Sequence, residues 1–209
     1  MTSETTEKKI LDAARDVFIR KGMDGARMQE IADEAGINKS LLHYYFRSKQ
    51  KLFEAIFQEA FGLLIPEVMK IFKEEDSLLN KIDRVVDRYV NVFSNNPFLP
   101  QFLIGEINRE PEKFVKFLQD SGIDPVFLQN VVDKEVEAGN INPIKAADLI
   151  PNMIGMVLLP FAARPLLQTI FFHGDSEQYD EYLNERRNTV SAFIKQALTR
   201  KPLDSNVSR

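Results

Sequence analysis

The chain has 209 residues, 44% hydrophobic and 28% charged, with a formal net charge of −4. That is enough apolar material for a core in one or two domains, and the overall acidity excludes a protein that is basic throughout. There is no cysteine, and the only histidines are His43 and His173, which excludes a disulfide scaffold, a Cys-ligated metal site and a Cys nucleophile and leaves little for hydrolytic chemistry.

The polar start, MTSETTEKK, lacks the apolar core of a signal peptide. Together with the missing cysteines it leads us to expect a cytoplasmic protein. Charge is uneven along the chain. Residues 1–55 hold ten Lys and Arg against nine Asp and Glu, and the remainder is acidic. Any attraction for nucleic acid must therefore come from a local patch near the N-terminus.

Ile10, Ala13, Ala14, Val17 and Phe18 recur at helical spacing, which predicts an amphipathic helix over Thr5–Arg20, broken by Gly22 and Gly25. A second, short helical face carries Met28, Ile31, Ala32 and Ala35. Gly36 follows where a left-handed cap is expected. Asn38 or Lys39 opens a third short helix through Tyr45, with Ile37, Leu41 or Leu42, and Phe46 facing inward. Ser48 is an N-cap candidate, although Lys51 stands where a capping box wants Glu or Gln. Behind it Leu52, Phe53, Ile56, Phe57, Ala60, Leu63 and Leu64 mark a long helix that Pro66 is expected to kink before Lys73.

Further helices are expected over Leu78–Phe93, Phe98–Asn108, Pro111–Gln119, Val126–Ala138 and Lys145–Ala163, and from Asp175 or Ser176 to Thr199. The apolar window Ile150–Ala163 is shorter than a membrane span and is interrupted by Pro151, Asn152 and Pro160, so no membrane association is expected. No β-alternation, internal repeat or Gly-rich phosphate loop is present. The fold class is all-α. The expected division is a head of residues 1–47, a helical body of 48–201 and a flexible tail of 202–209.

Two short helices joined by a glycine turn bury little alone and need the first helix beneath them, which makes a helix-turn-helix unit. Ala32 is small where the two helices cross, Gly36 takes the turn, and Leu42 points back into the crossing. In such a unit the N-terminal part of the second helix meets base edges in the major groove. Here that part is Asn38, Lys39, Ser40 and His43, with Leu41 placed to touch a thymine methyl group if it faces outward. Tyr44, Tyr45 and Lys49 flank the groove and meet phosphates, as do Arg27 and Arg47. The competing reading is a helical adaptor that binds a protein partner through Tyr44–Tyr45.

The segments ILDAARDVFIRKG and MQEIADEAGINKSLLHYYFRSKQKLF resemble the DNA-binding domain of TetR-family bacterial transcription regulators. By position, Lys39, His43, Tyr44 and Lys49 fall on the family's DNA-contact sites. Two features depart from the family pattern. The family often has Tyr then His where this chain has His43 then Tyr44, and it usually caps the second helix with Ser or Thr where Ala26-Arg27 stand here.

The resemblance implies double-stranded DNA as partner, a homodimer, repression as the default, and a C-terminal domain that binds a small effector. It implies neither cofactor nor metal, and no enzymatic activity. From the residues, an apolar or amphipathic effector would meet Phe93, Phe102, Phe127, Met153 and Met156, with Arg88, Gln101, Glu106 and Asn152 as polar anchors. The subunit contact would use Met156, Leu159, Ala163, Tyr182, Arg186, Val190 and Phe193 on the last helices.

Overall fold

The computed structural model describes residues 3–200, and these form eleven α-helices and no strand. The expected tail, 202–209, lies outside the described residues. Helix α1 (Ser3–Gly25) buries Ile10, Ala14, Val17 and Phe18. It is broken where foreseen, at Gly22, whose φ of 67° and ψ of 175° suit glycine. Helix α2 (Met28–Glu34) lies against it and α3 (Lys39–Tyr45) against α2, which completes the head.

Helix α4 (Lys49–Lys73) joins head to body and runs through Pro66. Ser48 caps it, its Oγ accepting from Lys51 N at 3.2 Å. Lys51 does not reach back as a Glu would; it pairs forward with Glu54 at 2.6 Å. The buried core is continuous across the expected boundary at 47/48, since Phe46 on one side and Leu52 and Phe53 on the other belong to one cluster. Phe18 of α1 meets Phe53 of α4 at 4.4 Å between ring centroids and Phe98 at 5.8 Å. Arg15 adds a polar tie, donating from Nε to the buried Asn96 Oδ1 at 3.0 Å.

The body comprises α5 (Leu78–Asn95), α6 (Leu99–Arg109), α7 (Pro111–Asp120), α8 (Pro125–Glu137), α9 (Ala146–Ala162), α10 (Arg164–Phe172) and α11 (Ser176–Thr199). Its centre is α5, packed against α4, α8, α9 and α11. Two contacts set α9 antiparallel to α11. Tyr179 Oη donates to Pro160 O at 2.7 Å, and Arg186 Nη2 donates to Met156 O at 2.8 Å.

Helix α10 has no counterpart among the expected elements. The chain bends by 77° between α9 and α10. Pro165 in the first turn of α10 has the φ a helix start requires and no N–H to leave unpaired. The bend is fixed by Arg164, which pairs with Asp180 at 2.7 Å and lies 5.4 Å from the centre of the Tyr179 ring. None of the α10 residues is buried. Only Leu167 and Phe172 pack partly against the core, too little of a stripe for periodicity to register. His173 ends α10 in the left-handed region, φ 53°. Among the described residues no single helix is long and apolar enough to cross a membrane.

Candidate nucleic-acid interface

The turn between α2 and α3 is built by its backbone. Gly36, with φ 67°, sits in the left-handed conformation. Its N–H donates to Asp33 O at 3.1 Å, and the Ile37 N–H donates to Ala32 O at 3.0 Å. This is the paired-bond helix ending that glycine favours. Asn38 then caps α3, its Oδ1 accepting from Leu41 N at 2.8 Å. A residue expected at a base edge thus has its carbonyl oxygen committed to the helix. The choice between the two leucines is resolved by packing: Leu42 is 0% exposed and Leu41 37%.

With Leu42 as the buried residue of α3, the helix presents Lys39, Ser40, Leu41, His43 and Tyr44 to solvent. Tyr44 is 80% exposed and meets the half-buried Tyr45 edge to face at 5.5 Å. His43 Nδ1 lies 3.3 Å from Arg47 O. A carbonyl only accepts, so Nδ1 carries the proton in this contact and Nε2 is left for another partner.

The cations divide into two groups. Arg27, Lys39 and Arg47 are exposed and have no acidic partner among the described residues. Lys49, expected on a phosphate, is half-buried, and its Nζ donates to Asp24 O at 3.2 Å and Ala26 O at 3.0 Å. It ties the start of α4 to the end of α1, so its ammonium holds the head together in this conformation. Arg27 occupies the N-cap of α2 with extended backbone and no capping side chain. Glu30 Oε2 accepts from its N–H at 3.3 Å, which supplies half of the missing cap. Lys21 hydrogen-bonds Glu30 at 2.8 Å and holds that carboxyl below its ordinary range. Arg20 pairs with Glu34 at 2.7 Å. Two of the three acids of α2, Glu30 and Glu34, are thus matched by α1, while the cations around α3 have no acidic partner among the described residues.

Residues 10–56 match the family described as bacterial regulatory proteins, tetR family. The head of the chain is thus a domain similar to those of tetR-family regulators. The chain is 33% identical over 91 residues to the HTH-type transcriptional regulator RutR of Escherichia coli, covering 44% of this chain and 42% of RutR. It is 32% identical over 84 residues to the HTH-type transcriptional repressor SCO4008 of Streptomyces coelicolor, covering 40% and 42%. The chain thus spans less than half the length of the curated relatives it matches. These relatives are a transcriptional regulator and a transcriptional repressor. The fold matches more widely. The transcriptional regulator FadR of Bacillus subtilis, solved with stearoyl-CoA, superposes with a TM-score of 0.64 at 16% identity, over 91% of this chain and 98% of FadR.

The residues expected to bind an effector are dispersed in the helical body. Phe93 and Met153 are buried core. Arg88 lies on a charged groove between α5 and α11, and Phe127 on a groove beside the α4–α5 turn. Asn152 is exposed on α9, and Met156 is half-buried there. Gln101, Phe102 and Glu106 share a cleft that lies between head and body. Phe102 and Glu106 also line a smaller cleft with Phe57, Phe114 and Phe117.

The expected subunit-contact residues divide in a similar way. Val190 is 1% exposed and faces the interior, so it cannot belong to an outer surface. Tyr182 and Arg186 are half-buried, with the guanidinium 5.6 Å from the centre of the Tyr182 ring. Phe193 and Leu159 are exposed, and Ala163 is half-buried at the α9–α10 bend. Leu166, Ile170 and Phe171 on α10 are exposed large apolar residues that sequence reasoning missed. The Arg-Pro pair at 164–165 was the available signal for the helix that carries them.

Proposed function

We propose that the chain is a dimeric DNA-binding transcriptional regulator of the bacterial cytoplasm. It acts as a repressor, released from a palindromic operator by a small apolar or amphipathic effector. The observation that carries this reading is the solvent face of α3. A helix held by one buried leucine presents Lys39, Ser40, His43 and Tyr44, with unmatched cations at Arg27 and Arg47 beside it. Arg27, Arg47, Tyr44 and Tyr45 meet phosphates, which position the head without reading sequence. Lys39, Ser40 and His43 read base edges, with Leu41 against a thymine methyl group. Asn38 contributes through its side-chain nitrogen, and Lys49 acts chiefly by holding the head in shape.

One such helix reads few bases, so a two-fold pair with heads roughly 34–36 Å apart is the natural complement. The exposed apolar residues of α9, α10 and α11, among them Leu159, Phe171 and Phe193, support a subunit contact there. The aromatic cleft of α4, α6 and α7, with Phe57, Phe102 and Phe114, supports an amphipathic effector. An acyl-chain ligand of the kind carried by FadR is one member of that class. A coupling of about 1–3 kcal/mol between effector and DNA gives a roughly 5–150-fold loss of operator affinity.

Selection of bound duplexes from a random library tests the reading. The expected result is an enriched palindrome, lost when the effector is added from a metabolite extract. Enrichment of no sequence sinks it.

A further inference from the structure

Two side chains of the reading helix are committed to the backbone, and each commitment fixes the sign of what remains. Asn38 Oδ1 accepts from Leu41 N at 2.8 Å. An N–H needs an acceptor, so this contact assigns the amide and leaves Nδ2, which only donates, for another partner. His43 Nδ1 lies 3.3 Å from Arg47 O and carries the proton there. A neutral imidazole protonated on Nδ1 has a lone pair and no hydrogen on Nε2, which therefore only accepts. Lys39 is exposed, has no acidic partner among the described residues, and only donates.

Lys39 and His43 stand one turn apart on one side of α3, beside the outer ridge of Ser40 and Tyr44. The helix thus offers donors at its start and an acceptor one turn later. Phosphate oxygens only accept, so Nε2 of the neutral ring has nothing to give them. Of the neighbours His43 and Tyr44, only the Tyr44 hydroxyl has a hydrogen for the DNA backbone. A partner for Nε2 must itself donate. In the major groove the donors are the exocyclic amines, adenine N6 and cytosine N4, whereas guanine presents two acceptors, N7 and O6.

We propose that each operator half-site carries adenine or cytosine opposite His43, read through its amino group by Nε2, and guanine opposite Lys39. Four residues of helix rise about 6 Å and a base pair about 3.4 Å, which sets the two positions about two base pairs apart. This assignment rests on the DNA-binding reading above and deepens it, since hydrogen bonds inside the protein name the base edges.

Duplexes are selected from a random library in mildly alkaline buffer, where an imidazole is neutral. The full chain is compared with His43→Ala, Lys39→Ala and His43→Lys. Residues 39 and 43 are exposed, so these substitutions leave the fold intact. In the expected result His43→Ala relaxes one position per half-site, and the parent holds adenine or cytosine there. Lys39→Ala relaxes a guanine about two base pairs away. His43→Lys, which offers only donors, moves the first preference to guanine. Operators are then synthesised with purine in place of that adenine, or 2-pyrimidinone in place of that cytosine, which deletes the amino group alone. Gel shifts should show a roughly 2–10-fold loss for the parent, the size of one hydrogen bond, and no loss for His43→Ala.

Three results overturn the His43 assignment: guanine or thymine at the His43-dependent position, no position that depends on His43, or deletion of the amino group that costs the parent no more than it costs His43→Ala. A Lys39-dependent position without guanine overturns the other half. Enrichment of no duplex at all sinks the DNA-binding reading itself and the assignment with it, whereas an enriched palindrome with the wrong base at these positions overturns the assignment alone.

Discussion

Helix α3 has seven residues and buries one, whereas α11 has twenty-four and buries six. The short helix is fixed at its ends. Asn38 caps its start, the Phe46 N–H closes its finish onto Leu42 O at 2.8 Å, and Leu42 pins its middle. The long helix is fixed along its length by packing on α5 and α9 and by ion pairs such as Lys195–Asp83 at 2.6 Å and Arg187–Asp87 at 2.9 Å. The difference teaches where function can reside. An element anchored by caps and one side chain leaves its whole outer face for a partner. One anchored by packing has only the residues that packing leaves over, such as Phe193.

The largest expected effect is on the single anchor. Leu42→Ala costs about 2–5 kcal/mol, because the cavity adds to the lost transfer energy. The unfolding midpoint in urea should drop accordingly, with DNA binding lost. A midpoint within error of the parent breaks the claim that α3 depends on one residue.

The next test concerns the body. Burial pushes the Tyr89 phenol of α5 up to about 12. The unfolded chain releases that proton near pH 10 and the folded chain holds it longer, so the unfolded state binds fewer protons and stability falls as pH rises. The loss is roughly 2–3 kcal/mol between about pH 10 and 12. Below pH 10 this group adds no slope. Comparison of alkaline unfolding curves should show Tyr89→Phe flattened over that window; identical slopes contradict a buried phenol.

Asn38→Ala removes the cap and should lower stability by about 1 kcal/mol. That shift in melting temperature sharpens the contrast, since loss of a cap matters little to a helix held along its length. The smallest effect on stability is expected at Tyr44. Tyr44→Ala should change folding by less than about 0.5 kcal/mol, as exposed sites do, yet weaken operator binding in a gel shift. A variant that binds DNA as well as the parent removes Tyr44 from the interface.

Much of the head is legible in the sequence because its constraints are local. Ala32, Gly36 and Leu42 stand at spacings that a tight helix–turn–helix imposes, and the expected elements agree with α1, α2 and α3 to within a few residues. Lys49 shows the limit. Its position next to the recognition helix is readable, but its hydrogen bonds go to residues more than twenty positions away. In the body, periodicity identifies inward faces without showing where facing helices leave a gap. Phe93 and Phe102 look alike in sequence, yet the first is wholly buried and the second lines two clefts. The final helix is similar: Val190 and Phe193 are both apolar, three positions apart, and one is buried while the other is 62% exposed.

By itself the sequence determined an all-helical chain, the reading head and the identity of its turn, because caps, glycines and helical spacing act over a few residues. Only the tertiary structure decided which leucine faces outward, that α9 breaks into α10, that Lys49 turns inward, and that a cleft separates head from body. Those outcomes depend on side chains distant in the chain competing for the same space, and no local pattern encodes that competition.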